Sequence, residues 1–148
     1  MRIGDTLPDV ELTLDTGEKV AVARLGKPLV LFFYPKAFSP VCTAEACHFR
    51  DLSPDFSKTG AVVYGVAPDD AETLQRFETQ HKLPYPSASD PDKTVAKAFG
   101  AVGPLNMTKR LTVVADSAGK VVMLYSNILN PNAHSAKALE ALRGLGAG

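Results

Sequence analysis

The stretch Leu29-Val30-Leu31-Phe32-Phe33-Tyr34-Pro35-Lys36-Ala37-Phe38-Ser39-Pro40-Val41-Cys42-Thr43-Ala44-Glu45-Ala46-Cys47 contains a strand, a turn and the start of a helix. The unbroken apolar run from Leu29 to Tyr34 suits a strand buried on both faces of a sheet. Pro35 ends it. Ser39-Pro40 has the form of a helix start, with Ser39 as N-cap and Pro40 as the first helical residue. Cys42 then sits in the opening turn. A helix N-terminus carries partial positive charge and unpaired N–H groups, and both favour a thiolate over a thiol. The Ser39 hydroxyl is expected to lie near the Cys42 backbone N–H and its sulfur. It could simply cap the helix, or also hydrogen-bond whatever the thiolate attacks.

Outward from this stretch, strands and helices alternate. Val10 to Leu14 and Lys19 to Val22 flank the turn residues Asp15-Thr16-Gly17-Glu18, which reads as an N-terminal hairpin. The helix after Ser39 is expected to run to about Phe56, with a bend at Ser53-Pro54. Ala61 to Ala67 is a second buried strand, and Asp69-Asp70 offers caps for a helix over Ala71–Lys82 carrying Leu74, Phe77 and His81. Pro84-Tyr85-Pro86 is an extended connector. Asp90-Pro91 opens a short helix through Phe99, which Gly100 ends. Strands at Arg110–Asp116 and Lys120–Tyr125 are joined by Ser117-Ala118-Gly119 as a hairpin. Asn132 is expected to cap a last helix with Ala136, Leu139 and Leu142 on one side. The order predicts an α/β fold with a mixed central sheet flanked by helices.

Composition narrows the function. The 148 residues, 45% hydrophobic and 22% charged, fit one domain over 1–148 with a substantial core. Sixteen basic and sixteen acidic side chains cancel, so charge makes no case for nucleic acid or an anionic membrane as partner. No apolar run reaches the roughly 20 residues that span a bilayer. The start, Met1-Arg2-Ile3-Gly4-Asp5, lacks a secretory pattern, and two cysteines do not make a disulfide scaffold, so a reducing cytoplasmic setting is expected. Neutral charge and the lack of a long exposed apolar helix point to a monomer.

Free cysteines are often buried as small hydrophobes, but a helix-start cysteine after a proline-containing loop points to a reactive thiol. Cys47 can be tested by geometry. Residues five apart in an intact helix have Cα atoms roughly 8.6 Å apart, whereas a disulfide needs about 4.4–6.8 Å. Either the two never bond, or the helix unwinds when they do. The spacing also excludes a thioredoxin-type Cys-x-x-Cys site. Cys42, Cys47 and His48 make a poor metal site, because Cys47 and His48 are adjacent and no second Cys/His pair completes it. No metal or cofactor is expected. His81 and His134 read as surface or helix-end residues.

The run Tyr34-Pro35-Lys36, Ser39-Pro40, Cys42-Thr43, Glu45-Ala46-Cys47 and Phe49-Arg50-Asp51 closely resembles the peroxiredoxins of the bacterioferritin comigratory protein, or Q-type, group. The likeness extends through Gly4-Asp5, Leu7-Pro8-Asp9, Gly65-Val66-Ala67-Pro68-Asp69 and Arg110–Asp116. It implies a thioredoxin-like fold and a peroxidatic Cys42, whose thiolate attacks a peroxide and becomes a sulfenic acid. Pro35 would shield the site, Ser39 would hydrogen-bond the substrate oxygen, and Arg110 would stabilise the thiolate and the departing oxygen. Glu45 would orient that arginine, although its position also fits a surface residue. Cys47 matches the resolving cysteine, giving a disulfide reduced by thioredoxin or a similar dithiol protein. The substrates implied are hydrogen peroxide and organic hydroperoxides.

Ser39 replaces the commoner Thr, Val41 stands where Gly is typical, and Ala37-Phe38 is similar to one-cysteine, AhpE-like peroxiredoxins. Phe38 and Val41 either line an apolar entrance or simply pack. The alternatives are a one-cysteine peroxiredoxin, a thiol–disulfide oxidoreductase on the same fold, and a redox sensor that uses Cys42 as a switch.

Overall fold

In the computed structural model, which describes residues 1–126 and 131–146, Leu29–Phe33 forms strand β3 at the centre of a five-stranded sheet. All five residues are buried, as the apolar run predicts. Their side chains alternate. Leu29, Leu31 and Phe33 join one core with Leu12, Val66, Phe99 and Val113. Val30, Phe32 and Tyr34 join a second with Phe49, Phe56, Phe77 and Leu139 on the opposite face.

The N-terminal hairpin pairs β1 (Glu11–Thr13) with β2 (Lys19–Ala21) outside the main sheet. After β3 come α1 (Pro40–Asp51), α2 (Ser53–Lys58), β4 (Val62–Ala67), α3 (Ala71–His81), β5 (Ser87–Ser89) and α4 (Thr94–Ala98). Strands β6 (Leu111–Ala115) and β7 (Val121–Ser126) and helix α5 (Pro131–Gly146) complete the chain. The sheet order is β5-β4-β3-β6-β7. Strands β4 and β5 run parallel to β3, while β6 is antiparallel to it and β7 to β6. The sheet is therefore mixed, flanked by helices, with the hairpin expected at the N-terminus.

Register places the site. Phe33 at the end of β3 lies opposite Leu111 at the start of β6. The residue before β6, Arg110, thus arrives where the chain leaves β3 towards α1. Helix α1 packs on the sheet beside α5, with the Phe49 ring stacked on Phe32 at 4.3 Å. That burial decides which α1 residues face inward: Cys42, Glu45, Ala46 and Phe49.

Several local expectations change. The bend near Ser53-Pro54 is present, but the helix resumes to Lys58. The Pro84-Tyr85-Pro86 connector leads into a short strand, β5, made of small residues with no apolar alternation to announce it. Asp90 does not directly open a helix; α4 starts at Thr94, and the Asp90 carboxylate reaches forward to accept from the Val95 and Ala96 amides at 3.1 and 2.9 Å. Asp70 caps α3 as expected, accepting from the Thr73 amide at 2.8 Å. Asn132 lies inside α5, one residue past its start, and is not its cap; the residue before Pro131 lies outside the described residues. The inward face of α5 is His134, Ser135, Ala138, Leu139 and Leu142, while Ala136 is exposed. His81 ends α3 as expected, but His134 is fully buried. A lone polar residue in a helix with no strong apolar stripe gives no sign of which way it faces.

Candidate active site

The loop between β3 and α1 is held at both ends. Tyr34 extends the ladder by one bond, its amide donating to the Val66 carbonyl at 3.0 Å. The Ala37 amide donates to the Asp69 carboxylate at 2.9 Å, tying the loop to the turn after β4. Phe38 sits at φ 67°, a left-handed conformation unusual for a bulky residue. Its ring lies edge-on against Phe77 at 5.1 Å and near His81 at 6.3 Å, contacts that hold it there.

Ser39 occupies the N-cap position with extended backbone, but its hydroxyl donates to the Lys36 carbonyl at 3.0 Å. It does not cap α1, contrary to the sequence expectation. The turn from Lys36 to Ser39 brings that carbonyl within reach of the hydroxyl, which bonds there instead. The first amide bonded within α1 is Thr43, to the Ser39 carbonyl at 2.8 Å. The amides of Val41 and Cys42 precede the helical ladder and stay available to an anion at this terminus.

Cys42 is fully buried, Cys47 half-buried, and both are free thiols within one intact helix. Arg110 immediately precedes β6 and is only 9% exposed. Its Nη2 lies 3.2 Å from Cys42 Sγ and its Nη1 donates to Glu45 Oε1 at 3.4 Å. Glu45 is three residues after Cys42, so both point from the same side of α1. Glu45 is completely buried, which decides against a surface role. Burial pushes its carboxyl up to about 8, against the lowering pull of Arg110.

The residue sequence reasoning missed is His134. Its Nδ1 lies 2.8 Å from Thr112 Oγ1 and 3.5 Å from Glu45 Oε2. Helix α5 therefore contributes to the same cluster from the far end of the chain. Its neighbour Ser135 hydrogen-bonds Nδ1 of His48 on α1. The sequence showed only a lone histidine in the last helix, with nothing to distinguish it from a solvated one.

Pro35 closes one side of an apolar hollow of about 420 Å³ beside Arg110, lined also by Pro104, Leu105, Met107, Thr108 and Ser126. Phe38 and Val41 are partly exposed but do not line it. The structure thus brings Pro35, Ser39, Cys42, Glu45 and Arg110 around one helix start, with Cys47 on the next turn and a half of the helix. Chemically the site offers a buried sulfur, a guanidinium facing it, and free amides. Such donors meet negative charge on sulfur or on an oxygen leaving it. Among the described residues no cluster of His, Cys, Asp and Glu is arranged to hold a metal ion, and no helix is long and apolar enough to cross a membrane.

Residues 3–124 match the model of the AhpC/TSA family. The chain is 35% identical to peroxiredoxin Bcp of Bacillus subtilis, covering 98% of this chain and 97% of that protein. It superposes on the crystal structure of peroxidoxin BcpB from Mycobacterium tuberculosis with a TM-score of 0.89 and 40% identity, covering 98% of each chain. It is also similar to the bacterioferritin comigratory protein of Xanthomonas campestris, described for its alkyl peroxide reduction activity, at 28% identity and a TM-score of 0.86, covering 95% of this chain and 99% of that one.

Proposed function

The chain belongs to the AhpC/TSA family, as a thiol peroxidase of the peroxiredoxin Q and Bcp type, and on that premise we propose that Cys42 is its peroxidatic cysteine. The observation that carries this assignment is the Arg110 guanidinium 3.2 Å from a fully buried Cys42 sulfur at a helix N-terminus. The thiolate attacks one peroxide oxygen. An S–O bond forms, the O–O bond breaks, and its electron pair leaves on the second oxygen, which takes a proton to become water or an alcohol. Sulfur is oxidised to a sulfenic acid and the peroxide is reduced. Arg110 and the Val41 and Cys42 amides meet the charge that develops on sulfur and oxygen. Ser39 holds the turn before Cys42 and sits within reach of a bound peroxide oxygen once its bond to Lys36 is exchanged. Pro35 limits access of water, and Glu45 orients Arg110.

Cys47 is the resolving cysteine in this reading. Its thiolate attacks the Cys42 sulfenic sulfur, expelling water and closing a disulfide. Both cysteines lie in α1, so that step requires the helix to unwind between them. A thioredoxin or similar dithiol protein then reduces the disulfide. Hydrogen peroxide and organic hydroperoxides are the substrates, the apolar hollow beside Arg110 receiving an alkyl group. The chain acts as one domain over 1–148, as a monomer, in the cytoplasm, with no nucleic-acid or membrane partner.

The test is peroxide consumption with a thioredoxin system, with mass spectrometry after one equivalent of peroxide. Cys42→Ser should lose turnover entirely; undiminished turnover would sink the assignment. Cys47→Ser should react once and stop as a sulfenic acid. A Cys47→Ser protein that cycles normally with thioredoxin would leave Cys42 peroxidatic but make this a one-cysteine enzyme.

A further inference from the structure

Two groups compete for one permanent positive charge beneath Cys42. Arg110 faces the Cys42 sulfur with Nη2 and the Glu45 carboxyl with Nη1. If both partners are anions, the buried cluster carries a net negative charge, which a low-dielectric interior strongly disfavours. The structure places a second proton carrier against the other carboxyl oxygen. Glu45 Oε2 makes no hydrogen bond among the described residues and instead faces His134 Nδ1 at 3.5 Å. That nitrogen is fixed by Thr112 of β6, two residues beyond Arg110. Glu45, His134 and Thr112 are all fully buried, out of reach of bulk solvent.

We propose that His134 is a positioning residue of the peroxidase reaction: with Glu45 it holds a single proton between Nδ1 and Oε2, which leaves the charge of Arg110 to the Cys42 thiolate. The proposal rests on the peroxidatic reading of Cys42. Groups from three elements meet His134: Glu45 from α1, which Arg110 links to Cys42; Thr112 from β6; and the Tyr125 ring of β7, edge to face at 4.9 Å. His48 of α1 meets the adjacent Ser135. Among these only Glu45 is a carboxyl. With the proton retained, Glu45 and His134 together are neutral. Without an imidazole, Glu45 alone must hold the proton. It then gives it up at lower pH and draws Arg110 away from sulfur.

The experiment follows the rate of the first reaction of Cys42 with hydrogen peroxide across pH in a Cys47→Ser background, where turnover does not intervene. His134→Gln keeps a polar side chain but cannot carry the proton. Its pH–rate profile is expected to move towards alkali by about one unit, a roughly tenfold loss of rate on the acid side. Thr112→Val, which only removes the anchor of Nδ1, should move it less in the same direction, and it serves if His134→Gln does not fold. The decisive variant adds Glu45→Gln to His134→Gln: with no carboxyl charge left to neutralise, the profile should return towards that of the parent. A merely structural histidine would lower the rate uniformly and leave the profile in place, which would overturn the proposal. So would a double variant as displaced as the single one. If the parent Cys42 itself fails to react with peroxide, the peroxidase assignment of Cys42 falls first and the role of His134 with it. If the parent reacts and the variants do not shift, only the role of His134 falls.

Discussion

Glu45 shows how one buried residue couples the site to stability. Its carboxyl, held up at about 8 by burial, is neutral in the folded protein across a range where an unfolded chain would ionise it. A folded-state value above the unfolded one gives stability that is complete below about pH 4.3 and is lost as pH rises towards the folded value. On this group's account the protein is therefore expected to lose stability between about pH 4.5 and about 8, by on the order of a few kcal/mol. Glu45→Gln should flatten that slope. Urea unfolding midpoints at both ends of the window check it, and an unchanged slope would show that Glu45 ionises freely in the folded state. At the same scale Cys42 and Ser39 were legible from their types and their place at a helix start, whereas Pro35, Glu45 and Arg110 were reached only through the family resemblance. His134 was reached by neither, because what identifies it is the carboxyl opposite, far away in sequence.

In the proposed cycle, helix α1 has to be stable enough to present Cys42 and weak enough to unwind. Its start lacks a side-chain cap, since Ser39 turns to Lys36, and a missing cap costs a helix about 1 kcal/mol. One bond acts against unwinding: the Tyr85 hydroxyl donates to the Ala46 carbonyl at 2.7 Å, next to Cys47. Tyr85→Phe should lower stability by about 1 kcal/mol and speed disulfide closure after a peroxide pulse, followed by rapid quench and thiol labelling. Closure at the parental rate would mean that α1 melts elsewhere. The loop before β6 offers a second test at this scale. Leu105 is 91% exposed at φ 60°, beside the apolar hollow. Leu105→Asn suits that backbone better than a branched apolar side chain does. It should lower kcat/KM for a bulky organic hydroperoxide severalfold while leaving hydrogen peroxide unaffected; equal effects on both would remove the hollow from substrate binding. The boundaries of α1 were visible in Ser39-Pro40 and Ser53-Pro54. The missing cap was not, because a serine hydroxyl chooses between two backbone partners only once the turn has formed.

Across the whole molecule the N-terminal hairpin is docked onto α3 and β5 through a polar joint. The Asp15 amide donates to the Ser87 carbonyl at 2.9 Å and Gln75 donates to the Asp15 carbonyl at 2.7 Å. The Asp15 and Glu78 carboxyls meet there, and burial together with Asp15 pushes Glu78 up to about 9. A raised carboxyl again means stability present at low pH and lost as pH rises through the folded value. Asp15→Asn removes the like charge, so its stability relative to the parent should improve as pH rises from about 5 to about 9. Thermal melts over that range check it, and a constant difference would show that the two carboxyls do not share a proton.

The chain's own pattern determined the strand that is buried on both faces, the alternation that makes an α/β sheet, the helix start carrying Cys42, and the distance that keeps Cys47 from bonding in an intact helix. These are local consequences of side-chain periodicity and chain geometry, available before any long-range contact forms. Only the tertiary structure decided that Arg110 lands on Cys42, that Glu45 is buried rather than solvated, and that His134 completes the cluster. Those facts depend on the antiparallel register of β3 and β6 and on α5 packing over α1. Register and packing bring together residues up to 89 positions apart, such as Glu45 and His134. No short stretch of sequence encodes which buried charge will meet which.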